Sequence, residues 1–192
     1  MAITTINNRS VNRSDTASSG QLWTATSATA SDFQAAAAGG KIGQVIHTGL
    51  TSVTSTTSST ASAISGLTAT ITPSATSSKV LILVYLTGGS TGDAHATFQL
   101  FRGTTQIALG DAASSRSRAT FGYRGEQHFN NYSAFPWHVS WVDSPSSTSA
   151  LTYSVKWFIS SGTLYLNRSL DNTDNANYHR TVSHITAMEV LA

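Results

Sequence analysis

The sequence predicts an all-β protein, one β-sandwich head preceded by an extended N-terminal arm. Three observations point there. Apolar and polar residues alternate over segment after segment, the two-residue period of a half-buried strand. Clusters of Gly, Pro, Ser, Asn and Asp separate those segments at the spacing of a sandwich or barrel. A single helix signal interrupts the pattern, close to the N-terminus.

The arm is residues 1–42. It opens with Asn7-Asn8-Arg9-Ser10-Val11-Asn12-Arg13-Ser14-Asp15, in which Asn-Arg-Ser occurs twice. This stretch has no sustained apolar period and does not bury itself. Two aromatic anchors follow, Trp23 and Phe33. Ser31 reads as an N-cap with Gln34 three residues on, Ala35 to Ala38 are strong helix formers, and Gly39-Gly40 closes the segment. A short helix is therefore expected over 32–38, marginal unless it packs on a neighbour. Arg9, Arg13, Trp23 and Phe33 are the candidate docking residues of this arm.

The head is residues 43–192. Residues 44–48 read as a first strand, and 51–65 are almost all Ser, Thr and Ala. Leu67, Ala69 and Ile71 alternate with threonines. Residues 79–87 (KVLILVYLT) are nearly continuous apolar, as in a central strand buried on both faces. Ala96, Phe98 and Leu100 alternate after the Gly88–Gly92 turn. A long excursion, 111–135, is rich in Ser, Arg, Asn and aromatics. Trp137, Val139 and Trp141, then Leu151, Tyr153, Val155 and Trp157, alternate on either side of the turn at Pro145. Leu164 and Leu166, and finally residues 182–190, complete eight to ten strands.

Composition bounds the function. The 192 residues suffice for one domain and an appendage. Charged residues are only 10% of the chain, against roughly 25% in ordinary soluble domains. Ser and Thr take their place at roughly 30%. Such a surface suits close contact with other copies or other proteins. The net charge is +2 with no Lys/Arg run, which argues against nucleic acid. No cysteine is present, so no disulfide framework and no Cys-based metal site is expected. The first residues lack the pattern of a signal peptide. The longest apolar run is too short to span a bilayer as a helix, and no membrane insertion is expected.

No motif carries chemistry. Gly88-Gly89-Ser90-Thr91-Gly92 matches the G-x-S-x-G nucleophile elbow, but that chemistry needs a following helix, and residues 93–98 alternate like a strand. The six histidines, 47, 95, 128, 138, 179 and 184, show no metal-ligand spacing. Carboxylates are few and unpaired in sequence. Asp171, Asn172, Asp174 and Asn175 lack the Gly and Glu of a calcium loop and read as a turn. The expectation is a non-enzymatic protein without cofactor or metal. The most promising surface is the excursion, with Tyr123, Arg124, His128, Phe129 and Tyr132 as candidate receptor or partner contacts. Aromatics beside Arg and Asn are recognition residues. The competing reading, which carries more weight, packs them on the sandwich or against another subunit.

Several phrases together resemble a known family: INNRSVNRSDTASSGQLWTATSATASDFQ, TATITPSATSSKVLILV, RGTTQIALG, WVDSPSSTSALTYSV, LYLNRS and TVSHITAMEV. The series is similar to bacteriophage virion proteins of the tail-fibre-like family, found in phages of aquatic bacteria. The resemblance covers most of the chain and is weakest over 111–135. It implies a jelly-roll head of the C1q/tumour-necrosis-factor type, a homotrimer, and localisation in the virion. It implies a short tail fibre or tail appendage whose arm docks on other virion proteins and whose head contacts host-surface glycan. The alternative it leaves open is a capsid decoration or cement protein that stabilises the head shell.

Overall fold

The computed structural model describes residues 21–25, 31–35, 41–91, 94–124 and 132–192. The chain divides into two compact units, Met1–Lys41 and Ile42–Ala192. In the first, β1 (Gln21–Ala25) and β2 (Ser31–Ala35) form an antiparallel pair in which Trp23 stands directly opposite Phe33. This corrects the first half of the expected helix over 32–38. Residues 31–35 are a strand, and residues 36–38 lie outside the described ones. The physical reason is backbone pairing. One helical turn leaves most of its N–H and C=O groups without partners, whereas a five-residue ladder satisfies them on one edge.

The described residues of the second unit form eleven strands. They are β3 (Ile42–Leu50), β4 (Thr54–Thr56), β5 (Ser62–Ile71), β6 (Lys79–Ser90), β7 (His95–Arg102), β8 (Thr105–Ile107), β9 (Phe121–Arg124), β10 (Phe135–Asp143), β11 (Leu151–Ile159), β12 (Leu164–Leu166) and β13 (Ser183–Val190). The described residues contain no α-helix.

Two antiparallel sheets result. One runs β3-β13-β6-β10, with β12 and β4 continuing past the end of β13 along the same edge of β6. The other runs β5-β11-β7, with β9 and β8 sharing the far edge of β7. The pairings β3 with β13, β5 with β11, β6 with β10 and β7 with β9 are those of one long hairpin. Wrapping that hairpin into two sheets makes a jelly roll. The sandwich expected from the alternation is present, with this topology.

The core lies between the sheets. Leu67, Ala69 and Ile71 of β5, Val80, Ile82, Val84 and Leu86 of β6, and Phe98 and Leu100 of β7 point inward. So do Tyr153, Val155, Trp157 and Ile159 of β11, and Ile185 and Ala187 of β13, all buried. Phe98 stacks on Phe121 with centroids 4.7 Å apart and tilts against Trp137 at 5.3 Å.

Several polar groups inside the sandwich are paired. Asp143 accepts from Arg102 Nη1 at 2.7 Å and from the Tyr153 hydroxyl at 2.8 Å. Burial, then the hydrogen bond and charge of Asp143, push the Tyr153 phenol well above its ordinary range. Asn167 is fully buried in the left-handed region, φ 63°. Its amide donates to the carbonyls of Leu50 and Ser52, and its Oδ1 accepts from Ser183 Oγ at 2.6 Å. That one side chain ties the end of β3 to the start of β13.

Candidate functional site

The two outer faces of the sandwich differ in kind. On the β5-β11-β7 sheet the outward positions include Thr68, Thr70, Thr152, Ser154, Lys156 and Gln99, with Phe101 and Phe158 among them. Thr70 and Thr152 hydroxyls hydrogen-bond across the strands at 2.8 Å, and the Lys156 ammonium covers the Phe101 ring at 4.0 Å. This is a solvent face, the ordinary polar side of a sandwich strand.

The outer face of β3-β13-β6-β10 carries an apolar row and a cluster of histidines. Register places Val142, Leu81, Met188 and Val45 in one transverse row. The next row is Ser140, Leu83, Thr186 and His47. The third is His138, Tyr85, His184 and Gly49. Leu81, Leu83, Tyr85 and Met188 are half-buried, while Val45 and Val142 are each 51% exposed. The charged residue in register with this face is Lys79, at its margin opposite Val190. Residues 79–87 were expected to be buried on both faces. Strand β6 is central, and among the described residues of the second unit only one of its faces is covered.

The face also gathers three histidines. His47 and His184, at opposite ends of the head sequence, meet because β3 pairs with β13. Their ring centroids are 5.2 Å apart, and Tyr85 stacks on the other side of His184 at 5.4 Å, with planes 19° apart. Thr186 Oγ1 lies 2.8 Å from His47 Nδ1. Burial first, and the neighbouring His47 second, hold the His184 imidazole below its usual pKa. Histidine spacing along the chain gave no sign of this pair. The only signal was that 44–48 and 182–190 both read as strands.

The residues singled out in the sequence fall in several places. Arg9, Arg13, His128 and Phe129 lie outside the described residues. Trp23 and Phe33 are cross-strand partners in the first unit. Tyr123 and Arg124 are on β9. The Tyr123 ring packs 5.3 Å from Trp137 and 6.2 Å from Phe135, so its body belongs to the core margin. Arg124 is exposed and lines an open cavity of about 720 Å³ with His95, Arg116 and Ser160. Tyr132 is elsewhere, its ring 4.9 Å from Tyr178 beside the 171–180 loop. The structure brings Tyr123 and Arg124 together and leaves Tyr132 apart from them.

Two motif readings resolve as geometry. Asp171 accepts from the Asn172 N–H at 2.7 Å and from Thr173 Oγ1 at 3.0 Å, and these bonds hold its carboxyl below the usual range. Its carboxylate organises a turn, the expected reading. After Gly88-Gly89-Ser90 the chain enters strand β7, where a nucleophile elbow requires a helix. Gly88 has a packing reason instead, because a Cβ there would collide with the Tyr165 carbonyl of the paired strand β12.

No protein-family profile matches the chain. No curated protein sequence matches it either. Among solved structures it is similar to the infectious bursal disease virus Gt strain, with TM-score 0.35 and 9% identity over 88% of this chain and 46% of that one. It is also similar to the VP2 subviral particle of infectious bursal disease virus, with TM-score 0.34 and 11% identity over 89% of this chain and 46% of that one. The chain thus spans about half the length of these structures. The jelly-roll assignment rests on the strand pairing described above.

Proposed function

We propose that this chain is a non-enzymatic structural subunit of a bacteriophage particle, assembled as a homotrimer through the outer face of the β3-β13-β6-β10 sheet. The observation that carries the reading is the contrast between the two outer faces. A strand of sequence KVLILVYLT is built for cover on both sides. The described residues of the second unit cover one side and leave Leu81, Leu83, Tyr85, Met188, Val45 and Val142 partly exposed. Lys79 is the charged residue in register with this face, and it stands at the margin. Around a three-fold axis each copy would turn this face toward the other two, so that the partly exposed side chains cover one another. Covering the remaining area of each such side chain contributes about 1 kcal/mol.

In this reading the chain is a short tail fibre or tail appendage. The N-terminal arm, with Arg9, Arg13, Trp23 and Phe33, docks on other virion proteins. The loops of the head, with Tyr123, Arg124, His128, Phe129 and Tyr132, contact host-surface glycan by weak multivalent binding. The phrase resemblance described above supports the virion assignment. The test is to delete residues 1–41 and follow incorporation. Heads that still self-assemble but no longer join particles support the reading. Heads that incorporate at normal stoichiometry overturn the docking role of the arm. Labelling the chain on purified particles then separates the tail from the capsid shell, where a decoration protein would be found.

A further inference from the structure

We propose that His47 and His184 form a two-imidazole binding site for a divalent transition-metal ion, of the class of Zn²⁺ or Cu²⁺. Four observations support it. The ring centroids are 5.2 Å apart. Two imidazoles bound to one tetrahedral ion at about 2.1 Å place their centroids roughly 5 Å apart. Next, the Nδ1 of His47 has a partner: with its proton there, it donates to Thr186 Oγ1 at 2.8 Å. That bond leaves the Nε2 lone pair as the ligand, which is how hydrogen bonds from surrounding residues orient metal-binding histidines.

The direction of the ring is also fixed. His47 Nε2 lies 3.8 Å from the position a Cβ would take on Gly49. Gly49 is the residue directly opposite His184. The ligand atom of His47 therefore leans toward the row that carries His184. Finally, Tyr85 stacks on His184 at 5.4 Å and restricts that ring from the far side. No carboxylate or cationic side chain stands among the residues paired with either histidine, which are Thr186, Gly49 and Tyr85. The described residues contain no group of three His, Asp or Glu that could hold an ion. Each chain therefore supplies two ligands, and binding weakens as acid protonates the two imidazoles.

The test uses the untagged full chain titrated with Cu²⁺ and followed by electron paramagnetic resonance. The expected result is a bound species with two nitrogen ligands. His47→Gln and His184→Gln should each abolish that species and weaken binding at least about tenfold, each removing one of the two ligands. Thr186→Val keeps both rings and should weaken binding about tenfold by freeing the orientation of His47. His138→Gln, three strands away from His47 and two from His184, should leave the spectrum unchanged. Zn²⁺ should raise the thermal unfolding midpoint of the parent chain and of His138→Gln, but of neither His47→Gln nor His184→Gln. A two-nitrogen species that survives either of those two substitutions overturns the proposal, as does absence of Cu²⁺ binding in the parent chain. Both rings belong to one chain, so a monomer that binds Cu²⁺ through them overturns the assembly reading and leaves this one intact.

Discussion

Met188 stands directly opposite Leu81 on the neighbouring strand, and both side chains lie half-covered on the outer face of the β3-β13-β6-β10 sheet. A cross-strand apolar pair contributes roughly 0.2–1 kcal/mol within a chain. Neither side chain reaches full burial that way. Met188→Glu places a carboxylate in the middle of the apolar row. It should weaken self-association by about 2 kcal/mol or more per interface, the scale of a central hot spot. Its effect on the stability of an isolated head should be small, because the position still meets water there. Sedimentation equilibrium for the first quantity and urea unfolding of the dissociated chain for the second check both halves.

The Arg102–Asp143–Tyr153 cluster makes a stability prediction. Arg102→Ala removes the cation from a largely buried carboxylate and should cost about 2 kcal/mol, somewhat below the range for fully buried pairs because Arg102 is partly exposed. Tyr153→Phe removes one hydrogen bond to the same Asp143 oxygen and should cost about 1.5 kcal/mol. The two losses should not add, since both act on one acceptor. Urea unfolding of the single and double variants measures the coupling.

Glu189 gives the acid limb of stability. It accepts from the Ser74 N–H and hydroxyl, both at 2.6 Å, and these bonds hold its carboxyl below the ordinary value of 4.5. Between the depressed folded value and 4.5 the unfolded chain binds more protons. The stabilisation is therefore complete above that window and is lost as pH falls through it. Glu189→Gln should flatten this part of the pH–stability curve. An unchanged acid limb in the variant would show that the loss arises elsewhere.

A second pH effect belongs to His184. Its folded-state pKa lies below 6.5, from burial and from His47. Stability should be complete above 6.5 and decline as pH falls toward the depressed folded value. His47 on β3, Tyr85 on β6 and His138 on β10 are the titratable groups sharing its surroundings. His184→Gln should remove the decline, as read by thermal unfolding at pH 7.5 and at about pH 5.5.

Asn167 tests the closure of the sandwich. Its amide serves two carbonyls and its carbonyl serves Ser183. Asn167→Ala leaves those groups unpaired in the interior and keeps an unfavourable left-handed φ. A cost of about 3 kcal/mol is expected. Asn167→Asp should also destabilise, because it replaces the donor to Leu50 and Ser52 with a second acceptor.

Much of the sandwich was legible because its signal is local. Leu67 to Ile71, Trp137 to Trp141 and Leu151 to Trp157 each carry the two-residue period on their own. The helix signal over 32–35 misled, since helix propensity is a weak preference that pairing with Gln21–Ala25 outweighs. The run 79–87 was legible as a central strand. A continuous apolar run, however, does not say whether its second face is covered by the same chain or by another. Tyr123 and Tyr132 looked alike in sequence, yet Tyr123 packs on Trp137 and Tyr132 on Tyr178. The His47–His184 pair arises from the β3–β13 register, which no local pattern encodes.

The most direct measurement is the mass of the intact chain in solution, by light scattering and native mass spectrometry, with Leu83→Glu alongside. The expected result is a particle of three times the 20.2 kDa chain mass, with slow amide exchange across β6 and β13, and dissociation of Leu83→Glu to single chains. A parent chain that runs as a monomer at micromolar concentration, or a Leu83→Glu variant that stays trimeric, would contradict assembly through this face.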